Sequence, residues 1–356
     1  MRPPYKYLFM LFKLSFIFPI SKGREDSNFK KIAKQILMVF NVYLTCLFIL
    51  AMLFTSAPFI SNTIIYIVMI VYRWILCIRF HRFRSIERSL CVKDTEGNKF
   101  INRLISIWIA VSNITIISLI IYNFTNEASV SKKFVFLSHE IKQRYAVIIN
   151  SFEFLHKVLH LAVPTNLLSI FYVTVCIEMR SEILHFTKKI RNAPNLEPLI
   201  QSYIKMASAV ETIDNSLSFL MFCSTIYGSA SMYYTTTILL LRRQFVETMS
   251  FYILIVVLFL VTIVHFIAMC VSASLVNEAS HRVGEKVKAL VPDSMASAIQ
   301  IQRFMSLTDK DLCLTVWKIV PIRRNFIIST LGCVFTYIIL FDGVTTTAYS
   351  GNCTTN

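Results

Sequence analysis

Seven stretches of about twenty mostly apolar residues decide what this chain can fold into. A helix of that length rises about 30 Å, which is the thickness of the hydrocarbon core of a bilayer. Hydrophobic residues make up 55% of the chain and charged residues 16%, so the apolar surface exceeds what a soluble domain can bury. The sequence therefore predicts an all-α fold, a polytopic membrane protein with seven transmembrane helices at residues 36–56, 59–78, 101–123, 161–178, 215–241, 249–272 and 327–347.

Positive charge is divided unevenly between the two sides of these spans. The formal net charge is +16, and the connections on one side hold 27 Lys and Arg residues against 7 on the other. Because the basic side of a membrane protein faces the cytosol, this predicts a cytosolic N-terminus and an extracellular C-terminus. The positive charge is then loop charge, and we expect no nucleic-acid partner.

Glycosylation sequons agree with this orientation. Those at Asn123 and Asn352 fall on the predicted outer side, which makes both asparagines glycosylation candidates. Seven helices with a cytosolic N-terminus are the reverse of a G-protein-coupled receptor. The tail after the last span has nine residues, so we expect no G protein as partner.

The last apolar stretch carries polar residues that a helix surrounded by lipid has no reason to keep. These include Thr336, Tyr337 and Asp342. A charged group at such depth costs about 2.5 kcal/mol or more unless water or a partner receives it. We therefore interpret residues 327–347 as the wall of a polar pathway through the membrane.

The sequence contains no motif that is typical of catalysis, nucleotide binding or metal binding. Nine cysteines are scattered without a metal-ligand spacing, and no nucleotide-binding or catalytic motif is found. His156 and His160 are four residues apart and lie on one helical face, but no third metal ligand is evident. We expect no enzymatic activity, no metal and no cofactor.

The stretch 314–344, LTVWKIVPIRRNFIISTLGCVFTYIILFDGV, resembles the C-terminal signature of insect gustatory receptors. That signature carries Thr-Tyr, five hydrophobic residues and then Gln-Phe within the last span. Thr336 and Tyr337 match the first pair, residues 338–341 supply four hydrophobic positions, and Asp342 takes the fifth. Residues 274–291 also resemble the cytosolic continuation of the sixth span in these receptors.

The resemblance implies a tetrameric, ligand-gated, non-selective cation channel in the plasma membrane of chemosensory neurons. The last helices would surround a central pore, with cations, a small-molecule tastant, the lipid bilayer and related receptor subunits as partners. Gly343 and Val344 stand where the family has the Gln-Phe constriction, so the gate departs from the family pattern. The short N-terminus and loops favour a bitter-type receptor.

Five regions follow from the spans and the resemblance together. They are a cytosolic segment with an interfacial helix, a six-helix ligand-binding bundle, cytosolic helices for subunit contact, the pore-lining helix and a short extracellular tail. Their bounds are 1–35, 36–272, 273–326, 327–347 and 348–356.

Asp342, Gly343 and Val344 are the candidate gate residues. Four copies of Asp342 around one axis would concentrate cations at the outer mouth of the pore. Alternatively, its carboxylate pairs with an outer-end arginine or lies at the headgroups. A ring of Val344 would close a narrow pore by dewetting, and Gly343 would let the backbone bend. Thr336 and Tyr337 are interpreted either as pore residues or as partners in hydrogen bonds between helices.

The ligand pocket is expected in the outer half of the first six spans, because the compound arrives from outside. Aromatic walls with a few polar groups suit small organic molecules. For each candidate the alternative is ordinary packing between helices. The candidates are Asn62, Tyr66, Asn113, Thr115, Tyr122, Glu153, His156 and His160.

Two other functions stay open. A secondary transporter commonly shows paired repeats with interrupted helices, which this chain lacks. A non-conducting accessory subunit of a receptor channel is made plausible by the altered Gln-Phe positions.

Overall fold

The fold is mostly helical in the part of the chain that the computed structural model describes. That part comprises residues 163–190, 196–240, 249–291 and 295–351, with seven single helical positions at Val71, Ile75, Ile86, Arg103, Ser106, Ile107 and Ala110. Its elements are α1 (Val163–Ile190), α2 (Glu197–Leu240), α3 (Met249–Lys288), α4 (Met295–Thr308), β1 (Thr315–Val316), β2 (Val320–Pro321) and α5 (Arg324–Gly351). The prediction of a helical protein is confirmed. The all-α description is corrected by one antiparallel ribbon, which pairs Val316 with Val320.

Helices α2 and α3 are much longer than a membrane is thick. They have 44 and 40 residues. At 1.5 Å per residue they extend about 66 and 60 Å, roughly twice the hydrocarbon core. Each helix is therefore long enough for one membrane span and for a second segment of about the same length outside the hydrocarbon core.

Charge divides each of these helices into two halves. The first half of α2 carries acidic and basic side chains up to Asp214, and none follows before its end at Leu240. Helix α3 is free of Asp, Glu, Lys and Arg until Glu278 and is charged from there to Lys288. The apolar criterion that found residues 215–241 and 249–272 detects only the apolar halves, whereas the helical backbone continues through the charged ones.

Helix α3 makes its most extensive contact with α1. The buried face of α3 includes the small side chains Ala273, Ser274 and Ala279, and the two alanines lie in the same core as residues of α1. Small residues let two backbones approach closely, which is the main source of attraction between helices in lipid. The contact between α1 and α3 is therefore the main packing interface of the described residues.

Several threonine hydroxyls within α2 are satisfied by the helix itself. Thr225 donates to the carbonyl oxygen of Met221 at 2.9 Å, and Thr235 donates to that of Ser231 at 2.8 Å. A hydroxyl bonded to the preceding turn needs no other partner. These residues are thus compatible with an apolar surrounding.

Three aromatic rings join α1, α2 and α4 beyond the apolar halves. Phe304 lies 5.7 Å from Tyr203 and 6.4 Å from Phe186 between ring centroids, both edge to face. Tyr203 and Phe186 are 5.9 Å apart. We name Phe186, Tyr203 and Phe304 the aromatic cluster. Burial raises the pKa of Tyr203 to about 12, so its phenol stays neutral at physiological pH.

Among the described residues, Ile255–Lys288 is the one helix both long and apolar enough to cross a membrane. Arg324–Leu340 is a shorter apolar helix. The count of seven spans and the orientation of the chain therefore remain predictions from the sequence.

Candidate functional site: the connector and the last helix

Helix α5 contains every candidate gate residue and packs on α2 and α3. Val334 and Ile338 are buried, and Ile327 and Leu331 pack against the same core. These positions repeat every three or four residues and so form one face of the helix. Residues outside that face are exposed in the single chain, among them Ile328, Phe335, Tyr337, Ile339 and Leu340.

Thr336 and Tyr337 lie outside the packed face. The hydroxyl of Thr336 donates to the carbonyl oxygen of Gly332 in its own helix at 2.8 Å. Tyr337 is 60% exposed in the single chain. The described contacts therefore give Thr336 a partner within α5, and they leave the surface around Tyr337 open to another subunit, to lipid or to water.

Other candidates lie beyond what the structure describes. The backbone of α5 is helical through Asp342, Gly343 and Val344, but their side chains are outside the described part. The candidate pocket and glycosylation residues also fall outside the described residues: Asn62, Tyr66, Asn113, Thr115, Tyr122, Glu153, His156, His160, Asn123 and Asn352. Their roles remain predictions.

A short segment before α5 fixes the base of that helix, and we name residues 309–323 the connector. Asp214 of α2 binds it at Thr315. The Thr315 amide donates to Asp214 Oδ1 at 2.7 Å, and the Thr315 hydroxyl lies 3.0 and 2.9 Å from Oδ1 and Oδ2. Both donors of one residue thus meet one carboxylate, 101 positions earlier in the chain.

The environment of Asp214 is balanced between burial and charge. Burial raises the pKa of Asp214 above its usual value, while the hydrogen bonds from Thr315 and the positive charge of Lys318 lower it. A partly buried carboxylate without these donors would lose hydration without compensation. The connector therefore supplies the partners that make a charged Asp214 tolerable at this place.

The tip of the ribbon is a tight turn with unusual backbone angles. Trp317 and Lys318 have φ of 50° and 59°, and the Ile319 amide donates to the Val316 carbonyl oxygen at 3.0 Å. This is a type I′ turn, for which Asn and Gly are the preferred residues. A non-glycine residue in the left-handed region costs about 1–2 kcal/mol, so contacts elsewhere must hold the turn.

Trp317 provides those contacts on α2. Its amide donates to the Ser218 carbonyl oxygen at 2.9 Å. Its ring centroid lies 4.6 Å from that of Phe222 and 5.5 Å from that of Phe219, the latter edge to face. Aromatic pairs of this kind contribute about 0.5–1.5 kcal/mol each beyond their burial, which is comparable with the cost of the turn.

Helix α3 holds the other side of the connector. The Leu312 amide donates to the Ser280 hydroxyl at 2.9 Å. Arg324, the first residue of α5, donates to both carboxylate oxygens of Glu278 at 2.6 and 3.0 Å. A positive charge at a helix N-terminus opposes the helix dipole, so the Glu278 carboxylate offsets an otherwise unfavourable position. The base of α5 is therefore attached to α2 and to α3.

Sequence reasoning did not find Asp214, Thr315 or the Glu278–Arg324 pair. One local signal was present, because TVWKIVP places β-branched residues on both sides of Trp317 and Lys318 and is typical of a short hairpin. The partners lie 101 and 46 positions apart in the chain, which no pattern in a single sequence reveals.

Comparison with known proteins gives a likeness of fold. No protein family and no curated protein matches the sequence. The insect olfactory receptor OR5 from Machilis hrabei matches in structure with a TM-score of 0.67 and 13% identity, over 95% of this chain and 97% of that one. The same receptor in complex with eugenol matches with a TM-score of 0.69, 13% identity and the same coverage. The chain shares the fold of an insect olfactory receptor, which is a seven-transmembrane fold.

Proposed function

We propose that this protein is a chemoreceptor subunit of the insect gustatory kind, a non-selective cation channel opened by a small-molecule tastant. The observation that carries the proposal is the likeness of fold to an insect olfactory receptor over 95% of the chain. The C-terminal signature around Thr336 and Tyr337 supports the gustatory assignment, and the short loops favour a bitter-type receptor. The solved complex of the olfactory receptor with eugenol supports a small organic ligand for this chain.

In this proposal four subunits place α5 around a central pore. The surface of α5 around Ile328, Phe335 and Tyr337 is exposed in the single chain, as expected of a helix that meets neighbours and a water-filled lumen in an assembly. The other subunits are copies of this chain or related receptors. The protein then lies in the plasma membrane of chemosensory neurons.

Opening depends on how the ligand pocket is coupled to α5. A ligand shifts a closed–open equilibrium only by its difference in affinity for the two states. The connector ties the base of α5 to α2 through Asp214, and Arg324 of α5 itself is bonded to Glu278 of α3. A displacement of α2 or α3 by the ligand would thus move the base of α5 and change the pore.

Patch recording from cells that express this chain, alone and with related subunits, tests the proposal. We expect a current that appears only with a tastant and reverses near the potential of a non-selective cation conductance. Saturable uptake without unitary currents would instead indicate a transporter. Currents only with a related subunit, unchanged by pore substitutions in this chain, would indicate an accessory subunit.

Asp342 provides the sharper test of the pore. If four Asp342 carboxylates form a ring, Asp342→Asn lowers the preference for cations over anions, measured by reversal potentials in dilution experiments. Glu211→Gln is the matched control, because Glu211 is an exposed acid in the charged half of α2. An unchanged preference in an active Asp342→Asn channel would contradict the ring.

A further inference from the structure

The tip of the ribbon presents apolar side chains at the level where three helices change from apolar to charged. On α2 the last charged residue is Asp214, on α3 the first is Glu278, and α5 begins with Arg324 before an apolar run. Thr315 and Arg324 are bound to the first two of these residues, so the ribbon lies at that same level. In a membrane protein this level is the boundary between hydrocarbon and headgroups.

The exposed side chains of the tip are those that such a boundary favours. Trp317 is 48% exposed, Ile319 72% and Val320 43%, although all three are apolar or amphipathic. Tryptophan is enriched at the headgroup level, where its ring and its N–H both find suitable surroundings. Lys318 lies between them and is also exposed, so a positive charge stands beside the apolar surface.

We propose that Trp317, Lys318, Ile319 and Val320 bind the anionic phospholipid headgroups of one membrane leaflet. By the predicted orientation this is the cytosolic leaflet, which carries the anionic lipids. The apolar side chains enter the headgroup layer while Lys318 meets lipid phosphate or carboxylate. Trp317 packs one side of its ring on Phe219 and Phe222 of α2 and leaves 48% of its surface exposed for this contact. The lipid contact then bears directly on the base of α5.

This inference depends on α2, α3 and α5 lying in a bilayer, and it does not depend on channel activity. A neighbouring subunit is the competing occupant of the same surface. Lipid is favoured by the combination of an interfacial level, an exposed tryptophan and a basic residue at the tip.

Native tryptophan fluorescence tests the position of the tip. The chain has three tryptophans, Trp74, Trp108 and Trp317. The full-length protein with Trp74→Phe and Trp108→Phe therefore reports on Trp317 alone. It is placed in nanodiscs of phosphatidylcholine and phosphatidylserine that contain lipids brominated near the carbonyl end or near the methyl end of the chain. We expect about twofold stronger quenching by the shallow bromines.

The preference for anionic lipid is tested with brominated phosphatidylserine against brominated phosphatidylcholine. The serine lipid is expected to quench more strongly at equal content, and Lys318→Gln lowers this preference by up to about fivefold. Lys205→Gln is the matched control, because Lys205 is exposed in the charged half of α2, nine residues before Asp214. Lys205→Gln is expected to leave the preference for phosphatidylserine unchanged.

Three outcomes would overturn the proposal. Blue-shifted emission that no brominated lipid quenches would place Trp317 against another subunit. Quenching by aqueous iodide alone would place it in water. Equal quenching by the two brominated headgroups would remove the anionic preference. A failed current recording leaves all three readouts intact, so the lipid contact and the channel function are tested separately.

Discussion

The aromatic cluster lies on the charged half of α2 and the connector lies where that half meets the apolar half, and the two are held by different forces. The cluster joins α1, α2 and α4 through buried rings, with Phe304 fully buried. The base of α5 is held by hydrogen bonds and ion pairs that are partly exposed, namely those between Asp214 and the connector and between Glu278 and Arg324. Burial is non-directional and hard to replace, whereas an exposed polar bond is easily exchanged for one to water.

The two kinds of contact differ in how readily they can be rearranged. Helices α1, α2 and α4 form a support joined by buried rings, and these contacts are harder to rearrange than the polar bonds at the base of α5. The attachment of α5 rests on bonds worth about 0.5–3 kcal/mol each, which is the size of typical coupling between a ligand site and a distant site. We therefore expect the closed–open equilibrium to depend more on the contacts of the connector than on those of the aromatic cluster.

The largest effect is expected from Phe304→Ala in the aromatic cluster. Removing a buried ring from a packed core costs about 3–5 kcal/mol, because the cavity fills only in part. The measurement is the unfolding temperature of the detergent-purified protein, followed by fluorescence-detected size exclusion. Phe335→Ala on the exposed surface of α5 is the matched control and is expected to change it far less. If both variants lowered the unfolding temperature equally, the aromatic cluster would not be what stabilises the packing of α1, α2 and α4.

Asp214→Ala is expected to loosen the connector without unfolding the bundle. The Thr315 amide and hydroxyl lose their acceptor, which costs about 1–3 kcal/mol for partly buried donors. Hydrogen exchange in peptides covering 312–322 should become faster, whereas peptides around Phe304 should keep their protection. Asp214→Asn retains one acceptor oxygen and is expected to show a smaller change. If both variants exchange like the unmodified protein, Asp214 does not hold the connector.

The sequence predicted the helical character of the fold because apolar length is a local property. The predicted span 249–272 begins at Met249, where α3 begins. The predicted span ends at residue 272, whereas α3 ends at Lys288. The hydropathy criterion stops where the apolar residues end, but the helical backbone continues through the charged residues that follow. The helix 161–178 likewise continues in the structure to Ile190.

The candidate site was predictable only where the signal was local. The polar residues of the last span, Thr336 among them, are visible in the sequence, and the structure gives Thr336 a partner one turn away. The hydrogen bonds between Asp214 and Thr315 join residues 101 positions apart. In the sequence Asp214 is one of several charged residues of its helix, and nothing nearby distinguishes it from the others. Only the path of the chain in space brings the two together.

Two glycine substitutions compare α3, which contacts α4 of the support, with α5 at a finer scale. Gly284 of α3 would place a new Cβ 3.6 Å from the Thr308 carbonyl oxygen, an ordinary contact, and Gly332 of α5 has open space. Alanine is expected to stabilise either helix by about 0.5–1 kcal/mol. The measurement is again the unfolding temperature, with ligand response recorded in parallel. Gly284→Ala should leave the response unchanged, while Gly332→Ala should alter it if the exposed surface of α5 meets neighbours in the assembly. Identical responses would argue against that contact.

The smallest effect on stability is expected from the Glu278–Arg324 pair, because its charges are exposed and water screens them. Glu278→Arg or Arg324→Glu alone places like charges together and should shift the concentration for half-maximal response. The exchanged pair, Glu278→Arg with Arg324→Glu, restores opposite charges and also puts an acid at the N-terminus of α5, where the helix dipole favours it. We therefore expect the double variant to respond more like the unmodified protein than either single one. Additive shifts in the double variant would mean that the pair does not position α5, and the connector would then act through Asp214 and Trp317.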